Sequence, residues 1–473
     1  MLFSSIVFLF YFFPAVLLLY YICSFSRRLQ NVVLLLASLV FYAWGDFGFL
    51  GTMVISIIVN YILGLLVGKF RERKFAPKFI VFVTCAYNLG MLFVFKYLGF
   101  VVKNINQVGG HKLTIPSIAL PIGISYFTFK SISYVVDVYR NKVQAEKNPL
   151  NIGLYIAFFP EVISGPISRY VKVGEQIKNR EHSWQKFSVG CCRFLTGLGK
   201  KVIISNSVAV IADKVFTMSS NGSVPVTLAW LGSIAYTLQI FFDFSGYSDM
   251  VIGLGLMFGF KIDENFDYPY ISKSITEFWR RWHISLSSWF RDYIYIPLGG
   301  SRVDNKDKLI RNLFIVWVST GVWHGAEWTF IMWGFLNFVF IALEKVFSFD
   351  DLKIHPVIKH IYALFVINLG WVLFRSTNLI QAGKYVSSMF GLAGNSFWSN
   401  YTFMFIKENA IIFIAGIILS MPIAKKVNKL VFEKAPGYKI LNGIYPIAVL
   451  GLFFICISYL IKGTYNPFIY LKF

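Results

Sequence analysis

His324 lies in an apolar, tryptophan-rich stretch, residues 315–340, where an ionisable side chain needs a partner or a task. Polar groups are expensive at membrane depth, so an imidazole there marks a candidate functional site. Its neighbours suit one. Gly321, Gly325 and Gly334 admit close approach of backbone or substrate, and Trp323, Trp328 and Trp333 can wall off a dry cavity. A neutral imidazole in dry surroundings can take a proton from a weakly nucleophilic hydroxyl, the step that acyl transfer to an alcohol requires. The tetrahedral oxyanion that follows needs hydrogen-bond donors, and His283, a tryptophan indole N–H and Asn337 are candidates. Taken alone, His324 is as readily a helix–helix hydrogen-bonding group as a catalyst.

The elements that must position these groups are legible in part. In residues 277–293, EFWRRWHISLSSWFRDY, the large apolar side chains at 278, 279, 282, 286, 289, 290 and 293 fall on one face of a 3.6-residue period. The pattern predicts one basic amphipathic helix, lying in the membrane interface or lining a wet cleft. His283 follows Trp279 by four residues and borders the apolar face. Asp243 and Asp249, in an otherwise apolar segment, suit either a proton path or, more simply, hydrogen bonds to neighbouring helices. Ser245 and Ser248 lie between them, but no Gly-x-Ser-x-Gly elbow supports a serine nucleophile. His111, His182, His355 and His360 sit in polar or basic surroundings and are predicted to be solvated.

Composition places the whole chain in a membrane. Hydrophobic residues make up 56% and charged residues 14%, against roughly 45–50% and 25% in soluble domains. Apolar runs such as 4–22, 49–68, 79–95, 228–244 and 444–461 approach the about 20 residues a spanning helix needs. An all-α, polytopic protein of about 11 to 13 membrane helices is expected. The polar connections are too short for a soluble domain, so residues 1–473 form one expected membrane unit, with the motif-dense part at about 119–345. The first apolar run lacks a basic leader and a small-residue cleavage pattern, and is expected to be a retained helix. Cys23, Cys85, Cys191, Cys192 and Cys456 show no metal or redox spacing, and buried free thiols with no metal site are expected.

The net charge of +22 does not indicate a nucleic-acid partner, because the cations cluster in short connections. Arg27 and Arg28, then Lys69, Arg71, Arg73, Lys74 and Lys78, then Arg140, Lys142 and Lys147 carry the positive-inside bias. No Walker or dinucleotide fingerprint accompanies them.

Several motifs together carry a family resemblance: residues 120–130, LPIGISYFTFK; 242–249, FDFSGYSD; 277–302, with its ending RDYIYIPLGG at 291–300; and 323–328, WHGAEW. With shorter echoes at 41–44, 96–99 and 371–375, the chain resembles the membrane-bound O-acyltransferase family, and within it the alginate O-acetyltransferase branch. The resemblance implies a funnel-shaped helical body in the bacterial cytoplasmic (inner) membrane. It implies acetyl-coenzyme A as a cytoplasmic donor with no permanently bound cofactor, and an extracytoplasmic polysaccharide such as alginate as acceptor. It also implies an extracytoplasmic or membrane-tethered acetyltransferase as partner. His324 occupies the position of the family's active-site histidine, and His283 that of an auxiliary histidine of the bacterial branch. Relatives often carry a further histidine after the Trp-Gly pair, where this chain has Asn337. Arg280, Arg281 and Arg291 suit the phosphates of coenzyme A, because guanidinium forks match phosphate oxygens. The alternatives are D-alanyl transfer to teichoic acid from a carrier-protein thioester, and a transporter relaying protons through Asp243, Asp249 and His324. The IPLGG ending at 296–300 favours acetylation.

The charge pattern predicts that Lys74 and Arg140 face the cytoplasm and Asp46 the opposite side. Single cysteines placed there, in a background without the native five, should react with an impermeant thiol reagent on intact cells at position 46 alone. Labelling of Lys74→Cys from outside reverses the orientation.

Overall fold

The computed structural model describes all residues except 46, 111, 424, 426–437, 464, 467 and 470–473, and of 438–442 the backbone alone. Asp46 and His111 therefore lie outside the described residues. Ten helices among the described residues are long and apolar enough to cross a membrane, and no strand occurs among them. The chain is a multi-pass membrane protein. The described cysteines are free, but only Cys456 is buried; the other four are half-buried.

The chain forms two compact units, residues 1–194 with 250–263, and residues 195–249 with 264–473. In the first, the 120–130 motif opens the helix Ile124–Tyr139. Gly123 is required at its start: its φ is +72°, and a Cβ there would stand 2.0 Å from the carbonyl oxygen of Val162. The helix then buries Lys130, whose ammonium meets Glu161 at 2.6 Å, while Ser168 Oγ donates to the same carboxylate at 2.5 Å. Buried Asn60 and Asn88 exchange side-chain hydrogen bonds of 3.2 and 2.7 Å between the helices Leu50–Lys69 and Ala76–Leu92. Polar glue of this kind joins helices where apolar burial offers no net drive.

The second unit contains the helices Lys306–His324 and Trp328–Val346, which approach to backbone contact at two glycines. A Cβ on Gly321 would lie 2.5 Å from the carbonyl oxygen of Phe330, and one on Gly334 would lie 2.5 Å from that of Trp317 and 3.0 Å from Gly321 Cα. Close small-residue packing lets long dispersion surfaces meet without a hydrophobic drive. The helix Val226–Met257 brings Asp243 into this unit, where Lys201 Nζ meets it at 2.6 Å and Ile469 N–H donates to it at 2.8 Å.

Gly334→Ala should cost about 1–3 kcal/mol or more, because the neighbour is backbone and cannot rotate away. Gly383→Ala, where nothing lies within 4 Å, is the control. Thermal unfolding of the detergent-purified protein should show a lowered midpoint for the first variant alone.

Candidate active site

The sequence motif 277–293 does not form the single helix its period predicts. Two helices, Ile275–Arg281 and Ile284–Phe290, flank a break at Trp282 and His283, followed by a π-turn over Arg291–Tyr295. His283 takes the left-handed conformation, φ +45°, which is costly for a residue with a Cβ and needs support from its surroundings. Asn265 supplies that support. Its Oδ1 accepts from Ser285 N–H at 3.1 Å and from Ser285 Oγ at 2.9 Å, and lies 3.2 Å from His283 Nδ1; its backbone carbonyl accepts from Ile284 N–H at 3.0 Å.

The first short helix is capped at its other end by Ser274, with Glu277 reaching back to the residue before the cap. Ser274 Oγ accepts from Glu277 N–H at 3.0 Å, and Glu277 in turn accepts from Lys273 N–H at 2.8 Å. Buried Glu344 accepts from the N–H groups of Ile275 and Thr276 at 2.6 and 2.8 Å, and from Thr276 Oγ1 at 2.6 Å. A carboxylate at a helix N-terminus satisfies donors that the helix itself leaves open.

These constraints bury His283, only 1% exposed, against the edge of Phe244 at 4.6 Å between ring centroids. They also fix its tautomer. The oxygen identity of Asn265 Oδ1 follows from the Ser285 N–H that it accepts, and an amide oxygen cannot donate; His283 Nδ1 must carry the proton. In the neutral ring Nε2 then carries a lone pair, and that atom is buried with no hydrogen-bond partner in the structure. In that tautomer neutral His283 offers an acceptor at Nε2, where a donor to an oxyanion was one expectation.

His324 is the last residue of the helix Lys306–His324. Its ring, 5% exposed, is enclosed by Trp323, Trp333 and Phe374 at centroid distances of 5.0, 4.9 and 5.2 Å. Trp323 also meets His283, at 6.3 Å, so the two histidines share one indole neighbour. Gly325 follows in an extended conformation, and a Cβ there would collide with the Phe330 ring at 2.3 Å. The aromatic wall continues through Trp279, 5.3 Å from Trp333, and Trp371, 4.9 Å from Trp282. Trp328, expected in that wall, is half exposed instead.

Asn337 is built into the aromatic wall, with one of its two amide N–H groups and its oxygen engaged there. Its Oδ1 accepts from Trp279 Nε1 at 2.8 Å and its Nδ2 donates to the Trp333 carbonyl at 2.8 Å, so it positions the aromatic wall. The arginines are placed as follows. Arg281 meets Glu277 at 3.0 Å and Asp267 at 3.2 Å, Arg291 meets Asp292 at 2.7 Å, and Arg280 is exposed. Asp243 and Asp249 are paired with Lys201 and Lys200, each at 2.6 Å, which ties up the carboxylates that a proton relay would use. Of the remaining histidines, His355 caps a helix through Val357 N–H, and His360 Nδ1 lies 3.1 Å from the Ser272 carbonyl, so neither is merely solvated. Among the described residues no cluster of three or more His, Cys, Asp or Glu side chains suits a metal ion.

A pair of buried histidines in an aromatic enclosure on an all-helical membrane chain agrees with what comparison of the sequence returns. The membrane-bound O-acyltransferase family is matched over residues 122–380. The chain belongs to this family. Residues 122–380 include His283, His324 and Asn265. This family member is 45% identical, over 82% of its length and 78% of the relative's, to a probable alginate O-acetylase of Azotobacter vinelandii. It is 35% identical over 84% of its length and 81% of the relative's to a peptidoglycan O-acetyltransferase of Helicobacter pylori. A teichoic acid D-alanyltransferase of Bacillus subtilis is 32% identical over 48% of this chain and 59% of its own. The protein is a membrane O-acyltransferase.

Asn265→Ala removes the acceptor shared by three donors, and each donor orphaned by it should cost about 1–3 kcal/mol. The variant should melt earlier and lose acyl transfer at least as fully as His283→Ala. A wild-type rate in Asn265→Ala would separate the His283 turn from the chemistry.

Proposed function

We propose that this acyltransferase moves an acetyl group from acetyl-coenzyme A, supplied from the cytoplasm, to a hydroxyl of an extracytoplasmic polysaccharide. The cell membrane concerned is the bacterial inner membrane. The observation that carries the reading is the conjunction of two buried histidines around Trp323 with similarity to a probable alginate O-acetylase over 82% of the chain. The D-alanyltransferase similarity covers 48% of it, which favours acetyl as the group transferred.

In this reading His324 takes the proton from the attacking hydroxyl as its oxygen bonds to the thioester carbonyl carbon. The tetrahedral intermediate collapses with cleavage of the carbon–sulfur bond, and the protonated imidazole returns its proton to the departing thiolate. His283 Nε2, an acceptor with Nδ1 anchored on Asn265, orients the hydroxyl or the thiol through its proton. The aromatic wall excludes water, which would otherwise compete as nucleophile.

The chain carries no extracytoplasmic insertion of domain size in its sequence, so a long polymer needs a second binding surface. An extracytoplasmic or membrane-tethered acetyltransferase would receive the acetyl group and pass it on.

His324→Ala should lower acetyl transfer by about 10²–10⁴-fold while the protein still accumulates in membranes, the range typical of a lost general base. Polymer acetyl content in cells carrying only this variant measures it, and wild-type content would refute the role. Purified protein in vesicles should exchange acetyl-coenzyme A slowly and acetylate polymer only with the partner added. Efficient acetylation by the chain alone would remove the partner from the scheme.

A further inference from the structure

The first unit holds a cavity of about 690 Å³ whose charged lining is Arg27, Lys178, Arg180, Lys186 and Lys261 against one carboxylate, Glu181. That carboxylate neutralises little: its side chain is 93% exposed and lies 3.7 Å from Lys186. Lys178 is drawn to Glu146 at 2.8 Å. The two guanidiniums are different in kind, because their acceptors are all neutral. Arg27 donates to Gln30 Oε1 at 2.7 Å and to the Arg180 carbonyl. Arg180, only 5% exposed, donates through Nε to Tyr20 Oη at 2.8 Å and the Phe258 carbonyl at 3.1 Å, and through Nη1 to Asn31 Oδ1 at 2.7 Å. Its Nη2 is buried with no hydrogen-bond partner.

A buried cation without a counter-charge is an expensive arrangement, and folding tolerates it where an anion arrives to complete it. Burial acts first on the ionisable groups here, and on His182 the two guanidiniums add to it. Burial lowers the Arg180 pKa from its ordinary value, and burial together with Arg27 and Arg180 pushes His182 down to about 4. The cavity also has apolar wall, Leu256 and Phe260, with the Arg180 guanidinium 4.4 Å from the Phe260 ring centroid. Arg27 belongs to the basic connection that the positive-inside bias assigns to the cytoplasm.

We infer that this cavity is a cytoplasmic binding site for a phosphate-bearing anion, with Arg180 as its buried anchor and exposed Lys261 and half-buried Lys186 as its guides. Two sources present that chemistry: the phosphates of a coenzyme A thioester and the head group of an anionic phospholipid. The first source rests on the acetyl-coenzyme A reading proposed above, whereas the second is independent of it.

The test uses the full chain in phosphatidylcholine nanodiscs, with adenosine 3′,5′-bisphosphate as the soluble probe in calorimetry. Phosphatidylglycerol replaces part of the lipid in a parallel series, read by thermal unfolding. The Lys186→Glu/Lys261→Glu double variant alters one half-buried and one exposed position and should stay monodisperse, with exposed Lys308→Glu as the charge control. Bisphosphate binding weakened by about tenfold or more in the double variant alone identifies donor phosphates. Stabilisation by phosphatidylglycerol that is lost in the double variant, without bisphosphate binding, identifies a lipid head group. Equal behaviour of wild type and double variant toward both probes overturns the site. His324→Ala should bind the probe as wild type does, so this result is read without turnover and stands apart from any failure of the acetyl-transfer reading.

Discussion

One amide oxygen holds the histidine turn of the second unit in shape. Asn265 Oδ1 gathers the Ser285 N–H, the Ser285 hydroxyl and the His283 ring N–H, and through them keeps a non-glycine residue in a left-handed turn. Without that acceptor, one buried donor and two half-buried ones would lose their partner. The local preference would then be to continue the helix that the apolar period favours. With it, the chain breaks at Trp282 and His283, the imidazole turns inward, and the two short helices carry Trp279 and Leu286 into the core.

The same demand for partners organises the rest of the buried polar groups. Lys130 with Glu161, Asn60 with Asn88, and Lys201 with Asp243 are each matched by a group at hydrogen-bonding distance. Buried ion pairs contribute little net stability, because desolvation offsets attraction, but separating one leaves a charge stranded. Their effect is to fix the register of neighbouring helices. Glu344 extends the principle to a helix end, where the carboxylate accepts from two backbone amides and a hydroxyl and so sets where the first short helix begins.

The membrane class, the all-helical architecture and the aromatic enclosure of His324 were readable from composition and residue type, since the apolar run 315–340 sets one histidine among tryptophans. The break at His283 was not readable, because hydrophobic periodicity reports which side chains are buried and not whether the backbone is continuous beneath them. Asn265 was missed for a related reason. It lies in a polar connection with no motif of its own, and its partners are two short helices away from it in sequence. Asn337 was readable as a departure from its family but not as the clamp between Trp279 and Trp333, which depends on contacts across 58 positions of chain. Phe374, which closes one side of the His324 ring, lay within the 371–375 echo, but nothing in that pattern marked its place beside the imidazole.

The glycine contact between the helices Lys306–His324 and Trp328–Val346 bears on how anything reaches His324. Two helices whose backbones touch at Gly321 and Gly334 cannot shear without climbing over each other's carbonyls. The hairpin that presents the imidazole is thus a fixed post rather than a door. The freedom left beside that ring lies in side chains, which turn about single bonds where the paired backbones cannot, and Trp333 and Phe374 are two such rings packed on it.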